Sequence, residues 1–313
     1  MGKKSRIFII LAILMLALMA PAAWGEDDEP KPGVKTPVER METPKATKPA
    51  KGGFGIGLRL HGGMNWLQGG DINKGIEGYL SYTEFQADWY GYPYARTFNE
   101  IRQALNGGVD LLFYLGRRFG LSLGASYLKK NQPSRLDIIF PTSTMSIFLT
   151  PEVEALPVDA GLFYILPLGN RFNLMVEAGG GWTFARLKYD YQMTHLIHSE
   201  TASREGDAGG ISGFARLGVE VKISRSIFFF VEALGRYAKI SGFDGRCDIQ
   251  LDGVTVDSFD GIFYSYDLTT LGRVFHLFDM FESPPGAPVY SNVREAEIDF
   301  SGVSARAGVR IRF

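Results

Sequence analysis

The chain has 313 residues, a formal net charge of −1 and a single cysteine, Cys247. Near-neutral charge excludes the basic footprint of a nucleic-acid-binding protein, and a lone cysteine excludes an intramolecular disulfide framework. The 38 Gly, 23 Phe and 14 Tyr suit many short strands flanked by aromatics.

At the N-terminus, Lys3, Lys4 and Arg6 precede an uncharged apolar run over 7–20, and Ala23 and Gly25 bracket Trp24. About 14 apolar residues are too few to span a bilayer, which takes roughly 20. Residues 1–25 therefore read as a secretory signal peptide cut ahead of Glu26. Residues 26–53 are rich in Pro, Lys, Thr and Glu and lack periodicity. They read as a disordered periplasmic tail, a spacer before one β domain over 54–313.

That domain contains eight alternating segments. A strand points successive side chains to opposite faces. The first, 54–61, sets Phe54, Ile56, Leu58 and Leu60 against Gly55, Gly57, Arg59 and His61. The same division runs through 108–115, 121–127, 156–164, 173–184, 214–223 and 227–237. The last segment sets Val303, Ala305, Ala307, Val309, Ile311 and Phe313 against Ser304, Arg306, Gly308, Arg310 and Arg312. Leu112 and Phe163 break the pattern by falling on the polar face. That face holds too much Gly, Ser and charge to form a dry interior. The predicted fold is all-β: a membrane-spanning, antiparallel, up-and-down barrel of eight strands with its apolar face outward. Short turns at 116–118, 167–171 and 224–226 alternate with long connections at about 68–98, 129–148, 190–209 and 241–297. Short turns are expected in the periplasm and long loops outside. If 136–149 or 246–259 entered the wall, the barrel would have ten strands and a wider lumen.

Inward charges form the main chemical constellation. Arg59, Arg216, Lys222, Arg236, Arg306 and Arg310 face Asp110, Asp159, Glu177, Glu220 and Glu232. An eight-stranded barrel is just wide enough to be filled by its own side chains. An unpaired buried charge costs several kcal/mol, so these groups are expected to pair and plug the lumen.

The long connections hold other candidates. Segments 246–251 and 254–259 flank Asp252-Gly253 and read as a hairpin with a type I′ turn. Asp267 is expected to cap a short helix carrying Leu271, Val274, Phe275 and Phe278, ended by Ser283-Pro284-Pro285. The first long loop carries Tyr79, Tyr82, Phe85, Trp89, Tyr90, Tyr92 and Tyr94, which suit interface anchoring, loop packing or ligand recognition. His195, His198, Ser199, Glu200 and Asp207 gather acid–base and nucleophilic residue types in one loop. Polar loops hold such residues by chance, and no catalysis, metal or cofactor is expected.

The run Glu154-Ala-Leu-Pro-Val-Asp-Ala-Gly-Leu-Phe-Tyr-Ile-Leu-Pro-Leu-Gly169, then Val176-Glu-Ala-Gly-Gly-Gly-Trp182, resembles the outer-membrane β-barrel domain family, the small eight-stranded OmpA/OmpX-type barrels. The resemblance covers about 54–313 outside the loops. It implies location in the cell outer membrane and a monomer surrounded by outer-membrane lipid or lipopolysaccharide. It also implies a C-terminal signal, Val309, Ile311 and Phe313, read by the barrel-assembly machinery. It is nearly silent on activity. The expected role is structural or surface-binding through the extracellular loops, with an extracellular ligand of those loops as a further partner. A small-solute channel and a barrel enzyme acting on outer-leaflet lipid are the alternatives.

Overall fold

A computed structural model describes residues 54–286 and 288–313; the expected signal peptide and tail, 1–25 and 26–53, lie outside the described residues. In chain order the elements are β1 (Gly55–Leu67), α1 (Asp71–Trp89), β2 (Tyr94–Thr97), β3 (Gln103–Tyr114), β4 (Phe119–Asn131), β5 (Ser134–Phe140), β6 (Ser143–Pro167), β7 (Phe172–His195) and β8 (His198–Lys222). They continue as β9 (Ile227–Tyr237), β10 (Lys239–Ile240), β11 (Asp244–Leu251), β12 (Val254–Thr270), β13 (Arg273–Phe281), β14 (Tyr290–Glu295), β15 (Ile298–Asp299) and β16 (Gly302–Arg312).

The strand pairings are antiparallel and close on themselves. β1 pairs with β3, β3 with β4, β4 with β6 and β6 with β7. β7 pairs with β8, β8 with β9, β9 with β16, and β16 returns to β1. A ring-like sheet has no free edge in its wall, which removes the usual route to edge-to-edge aggregation. β6, β7 and β8 are 25, 24 and 25 residues long, far beyond the segments read from the sequence.

Their extra length rises past the ring at its long-connection end. There β5 adds to β6 and β2 to β5, while β11 adds to β8 and β12 to β11. Segments 136–149 and 246–259 thus widen this extension, here called the headpiece, and neither is inserted between strands of the ring. The turn at Asp252-Gly253 forms as expected, with φ of 49° and 79°, the positive pair a type I′ turn needs.

Two expectations are corrected. Asp267 caps no helix: β12 and β13 form a hairpin that pairs Asp267 with His276 and Leu268 with Phe275. The hairpin is buried on both faces, Phe275 and Leu277 in one cluster, Phe278 and Met280 in another. A strand buried on both sides has no alternation, and its apolar run also fits a helical period. The first long connection, in turn, holds a 19-residue helix, α1.

Helix α1 buries Ile72, Ile76, Leu80, Thr83 and Ala87, spaced three or four apart along one face. It lies directly on the backbone of β13. A Cβ at Gly78 would stand 1.7 Å from the His276 carbonyl oxygen, and one at Gly75 would stand 2.1 Å from the Phe278 Cβ. Only glycine permits that approach. Gly78→Ala is expected to cost about 1–3 kcal/mol through overpacking. Hydrogen exchange should then rise in α1 and β13 while the ring strands keep their protection; unchanged exchange in α1 would refute the close packing.

Candidate functional site

The wall strands change polarity at one level along their length. Below it, outward Leu162, Val176 and Leu217 are 52%, 42% and 53% exposed, while inward Asp159, Glu177 and Arg216 are buried. Above it, inward Val153, Leu187 and Ala202 are buried, and the outward positions are Glu152, Lys188 and Glu205. The alternation never slips: Ala155, Ala185 and Ala208 stand opposite one another at the change. The first outward charged row is Lys129, Glu154, Arg186, Asp207 and Asp244, each beside the next. The lower ring is therefore inside-out relative to a soluble protein, and the headpiece has the ordinary polarity. Contiguous exposed apolar surface on this scale marks a membrane or interaction face.

Inside the ring, packed side chains form three layers. Nearest the short turns, Leu112, Tyr114, Phe163, Ile165 and Met175 pack together; the two residues that spoiled the alternation, Leu112 and Phe163, form part of this floor. Above it, Arg59 Nε contacts Asp110 at 2.7 Å, and its Nη atoms contact Glu177 at 2.9 Å and Glu232 at 3.5 Å. Arg216 Nη1 lies 3.1 Å from Glu177 and 3.2 Å from Asp110. Arg236 holds both oxygens of Asp159, at 3.0 and 2.6 Å. Arg306 pairs with Glu232. Arg310 reaches Glu220 at 2.6 Å, donates to the Tyr114 hydroxyl at 2.6 Å, and lies 4.2 Å from the centre of the Phe228 ring. Five arginines thus meet five carboxylates, and the formal charge cancels. Lys222 departs from the expected set. It is exposed at the last residue of β8, where the strand leaves the wall for a short turn and has no inner layer to join.

Over the charged layer sits the largest apolar core, built from Ile72, Ile76 and Leu80 of α1 with Leu136, Leu149, Leu187, Phe243 and Phe263. The helix is clasped at its first residue. The buried Asp71 carboxylate accepts two bonds from Arg294, both 2.6 Å, and one from the Glu297 N–H at 2.8 Å. His276 Nε2 stands 3.9 Å from Asp71, and Nδ1 stands 2.9 Å from Asp267, which also accepts from Asn292 at 2.6 Å. Burial alone would push the Asp71 carboxyl up; His276, Arg294 and the Glu297 N–H outweigh it and hold it at about 2. The Asp71 and Asp267 carboxylates hold the proton on His276 and raise it above its ordinary 6.5.

The loop aromatics divide. Tyr79 packs edge-on against Tyr191 at 5.8 Å, Tyr82 against Phe275 at 5.4 Å and Tyr92 against Phe140 at 4.6 Å. Trp89 and Tyr90, at the end of α1, are 64% and 72% exposed, and Tyr94 on β2 is also exposed. Of the polar loop candidates, His195 and His198 stand opposite each other across the β7–β8 turn, but their side chains bond to different partners. His195 bonds Ser143 at 3.0 Å and His198 bonds Asp252 at 3.1 Å, while Asp207 lies down the strand against Arg186 at 2.9 Å. At the C-terminus, Val309 is outward between Leu60 and Phe229, and the Phe313 N–H donates to the Ile56 carbonyl at 2.9 Å. Helix α1 and its clasp escaped the sequence reading; the spacing Ile72, Ile76, Leu80, Thr83, Ala87 is the signal that marks the helix.

No protein-family model matches this chain, and no curated protein matches it. Among solved structures it is similar to the outer membrane protein OprG from Pseudomonas aeruginosa, at 10% identity and a TM-score of 0.37, over 84% of this chain and 97% of that one. So distant a likeness leaves the fold resting on this chain's own strand pairing.

Removing Arg59 would strand Asp110, Glu177 and Glu232 in a buried layer. Arg59→Ala is expected to lower stability by about 3–5 kcal/mol, read as a shift of the urea midpoint in detergent micelles; a shift within error would show that the layer is hydrated and loosely coupled. The clasp has a pH window. The Asp71 contribution is present above the ordinary carboxylate value of 3.8 and is lost as pH falls toward 2. The His276 contribution is present below 6.5 and is lost as pH rises through its raised folded value. Headpiece melting should therefore be highest between those limits, and His276→Gln should flatten the alkaline side alone. A profile that declines above pH 6.5 equally in the variant would remove His276 from the clasp.

Proposed function

We propose that the chain is an integral outer-membrane protein, an eight-stranded barrel with its short turns in the periplasm and its headpiece outside the cell. It serves a structural and surface-binding role, and it neither conducts solutes nor catalyses a reaction. The observation that carries this reading is the polarity change at the Ala155–Ala185–Ala208 level. From Leu174 to Phe184 on β7 the outward residues are apolar or glycine, and Arg186 begins the charged rows. That is about the 9–11 residues a tilted strand needs to cross a bilayer. Trp66, Tyr127, Trp182, Phe184 and Tyr237 are exposed at its upper end, where an interfacial aromatic girdle belongs. Val309, Ile311 and Phe313 complete the wall at its closing strand and are the residues an assembly machinery would read.

The lumen argues against conduction. An apolar floor, a charge-balanced layer and a helix-filled core lie in series along one axis. Binding then falls to the headpiece, whose exposed Trp89, Tyr90 and Tyr94 are aromatic groups with polar tips, the type enriched in recognition surfaces. The full chain, refolded into a planar bilayer with its heat-modifiable gel shift confirmed, is expected to stay electrically silent. Steady single-channel conductance would overturn the plugged reading and make the protein a channel.

A further inference from the structure

The short-turn end of the ring repeats one pattern three times. Leu115 and Phe119 bracket Gly116-Arg117-Arg118; Leu168 and Phe172 bracket Gly169-Asn170-Arg171; Ile223 and Ile227 bracket Ser224-Arg225-Ser226. In each, the first apolar residue donates its N–H to the carbonyl of the last, at 3.0, 2.8 and 3.0 Å. In each, both bracketing side chains are exposed, and at least one arginine sits between them, exposed as well. No acidic side chain lies in 115–119, 168–172 or 222–227.

The two ends of the protein treat their cations differently. In the headpiece, Lys129 and Arg186 each contact two carboxylates and Lys188 contacts one. At the short-turn end, Arg118, Arg171, Lys222 and Arg225 have no ion pair or side-chain hydrogen bond among the described residues. Four like charges on one rim repel each other, and no carboxylate among the described residues pairs with them. Yet each turn arginine is flanked by two exposed apolar side chains. A long cationic side chain so placed keeps its stem along apolar surface and its charged head at the polar boundary.

We propose that the short-turn end is a binding belt for anionic phospholipid, taking the phosphate headgroups of the leaflet in which the apolar band ends. The planar guanidinium fork matches two phosphate oxygens at once. A soluble polyanion would need the same charges but would not need an exposed apolar pair around every arginine; a lipid needs both. The belt rests on the membrane-spanning reading above.

The full chain is refolded into vesicles of phosphatidylcholine, or of phosphatidylcholine with a minority of phosphatidylglycerol. It is then extracted into neutral detergent and its retained lipid counted by mass spectrometry. The expected result is retained phosphatidylglycerol well above its share of the vesicle, falling as salt rises. The variant Arg118→Gln, Arg171→Gln, Lys222→Gln, Arg225→Gln should lose roughly fivefold of that preference per cation removed at low salt, while its heat-modifiable shift stays intact. Arg171→Lys with Arg225→Lys should keep most of it, and Lys129→Gln with Lys188→Gln, at the other end, should keep all of it. Insertion without enrichment, or equal enrichment in the fourfold variant, overturns the belt and leaves the barrel standing. Failure to insert in either vesicle overturns the membrane reading itself. Capture of polyphosphate by the detergent-held protein, with no lipid enrichment, would assign the cations to a soluble polyanion and overturn the lipid belt.

Discussion

Three long strands set the terms for everything else. β6, β7 and β8 carry two opposite polarities in one unbroken register, and their side chains exchange roles at Ala155, Ala185 and Ala208. Below that level apolar groups point out and charges point in; above it the reverse holds. Because the backbone stays in one ladder, the ring and the headpiece share a continuous hydrogen-bonded wall. Small residues at the changeover suit a level where neither face has a fixed preference.

Each half solves the problem its environment poses. In the lower half the interior holds buried charges, and five arginines pair with five carboxylates, while Arg216 Nε, Glu220 Oε1, Arg306 Nε and Arg310 Nε make no hydrogen bond among the described residues. Such a layer adds little net stability over an apolar one, but losing any member is costly. In the upper half the interior is apolar but too wide for the wall residues alone. Helix α1 fills it, brought against β13 by Gly75 and Gly78 and fixed at its start by Asp71. The interior is therefore occupied by two unlike materials, a layer of ion pairs and apolar packing on either side of it.

The asymmetry between the ends follows from the same division. Headpiece cations stand in water beside carboxylates on neighbouring strands, as cross-strand pairing in a soluble sheet favours. Cations at the short turns have apolar neighbours instead, and their charge is left to whatever lies against that rim.

Much of the ring was legible in the chain itself. Period-two alternation located the wall segments, and the Arg-rich polar face identified the inward charges Arg59, Asp110, Glu177, Arg216, Glu232 and Arg310, because a strand's two faces are written in its odd and even positions. Lys222 misled because alternation does not say where a strand leaves the wall. The reach of β6–β8 was hidden by the polarity change: above Ala155 the same alternation carries the opposite sign and reads as loop. Phe275 and Phe278 misled because a strand buried on both faces has no alternation to read. Helix α1 was masked by its own aromatics, for which interface anchoring, loop packing and recognition were all open; Tyr79 and Tyr82 take the packing role. The sequence by itself determined the period and polarity of the wall segments below the polarity change, since these depend on local geometry alone. Only the tertiary structure decided what fills the lumen and which aromatics remain exposed, since those depend on groups such as Asp71 and Arg294 that lie 223 residues apart and meet only when the chain closes.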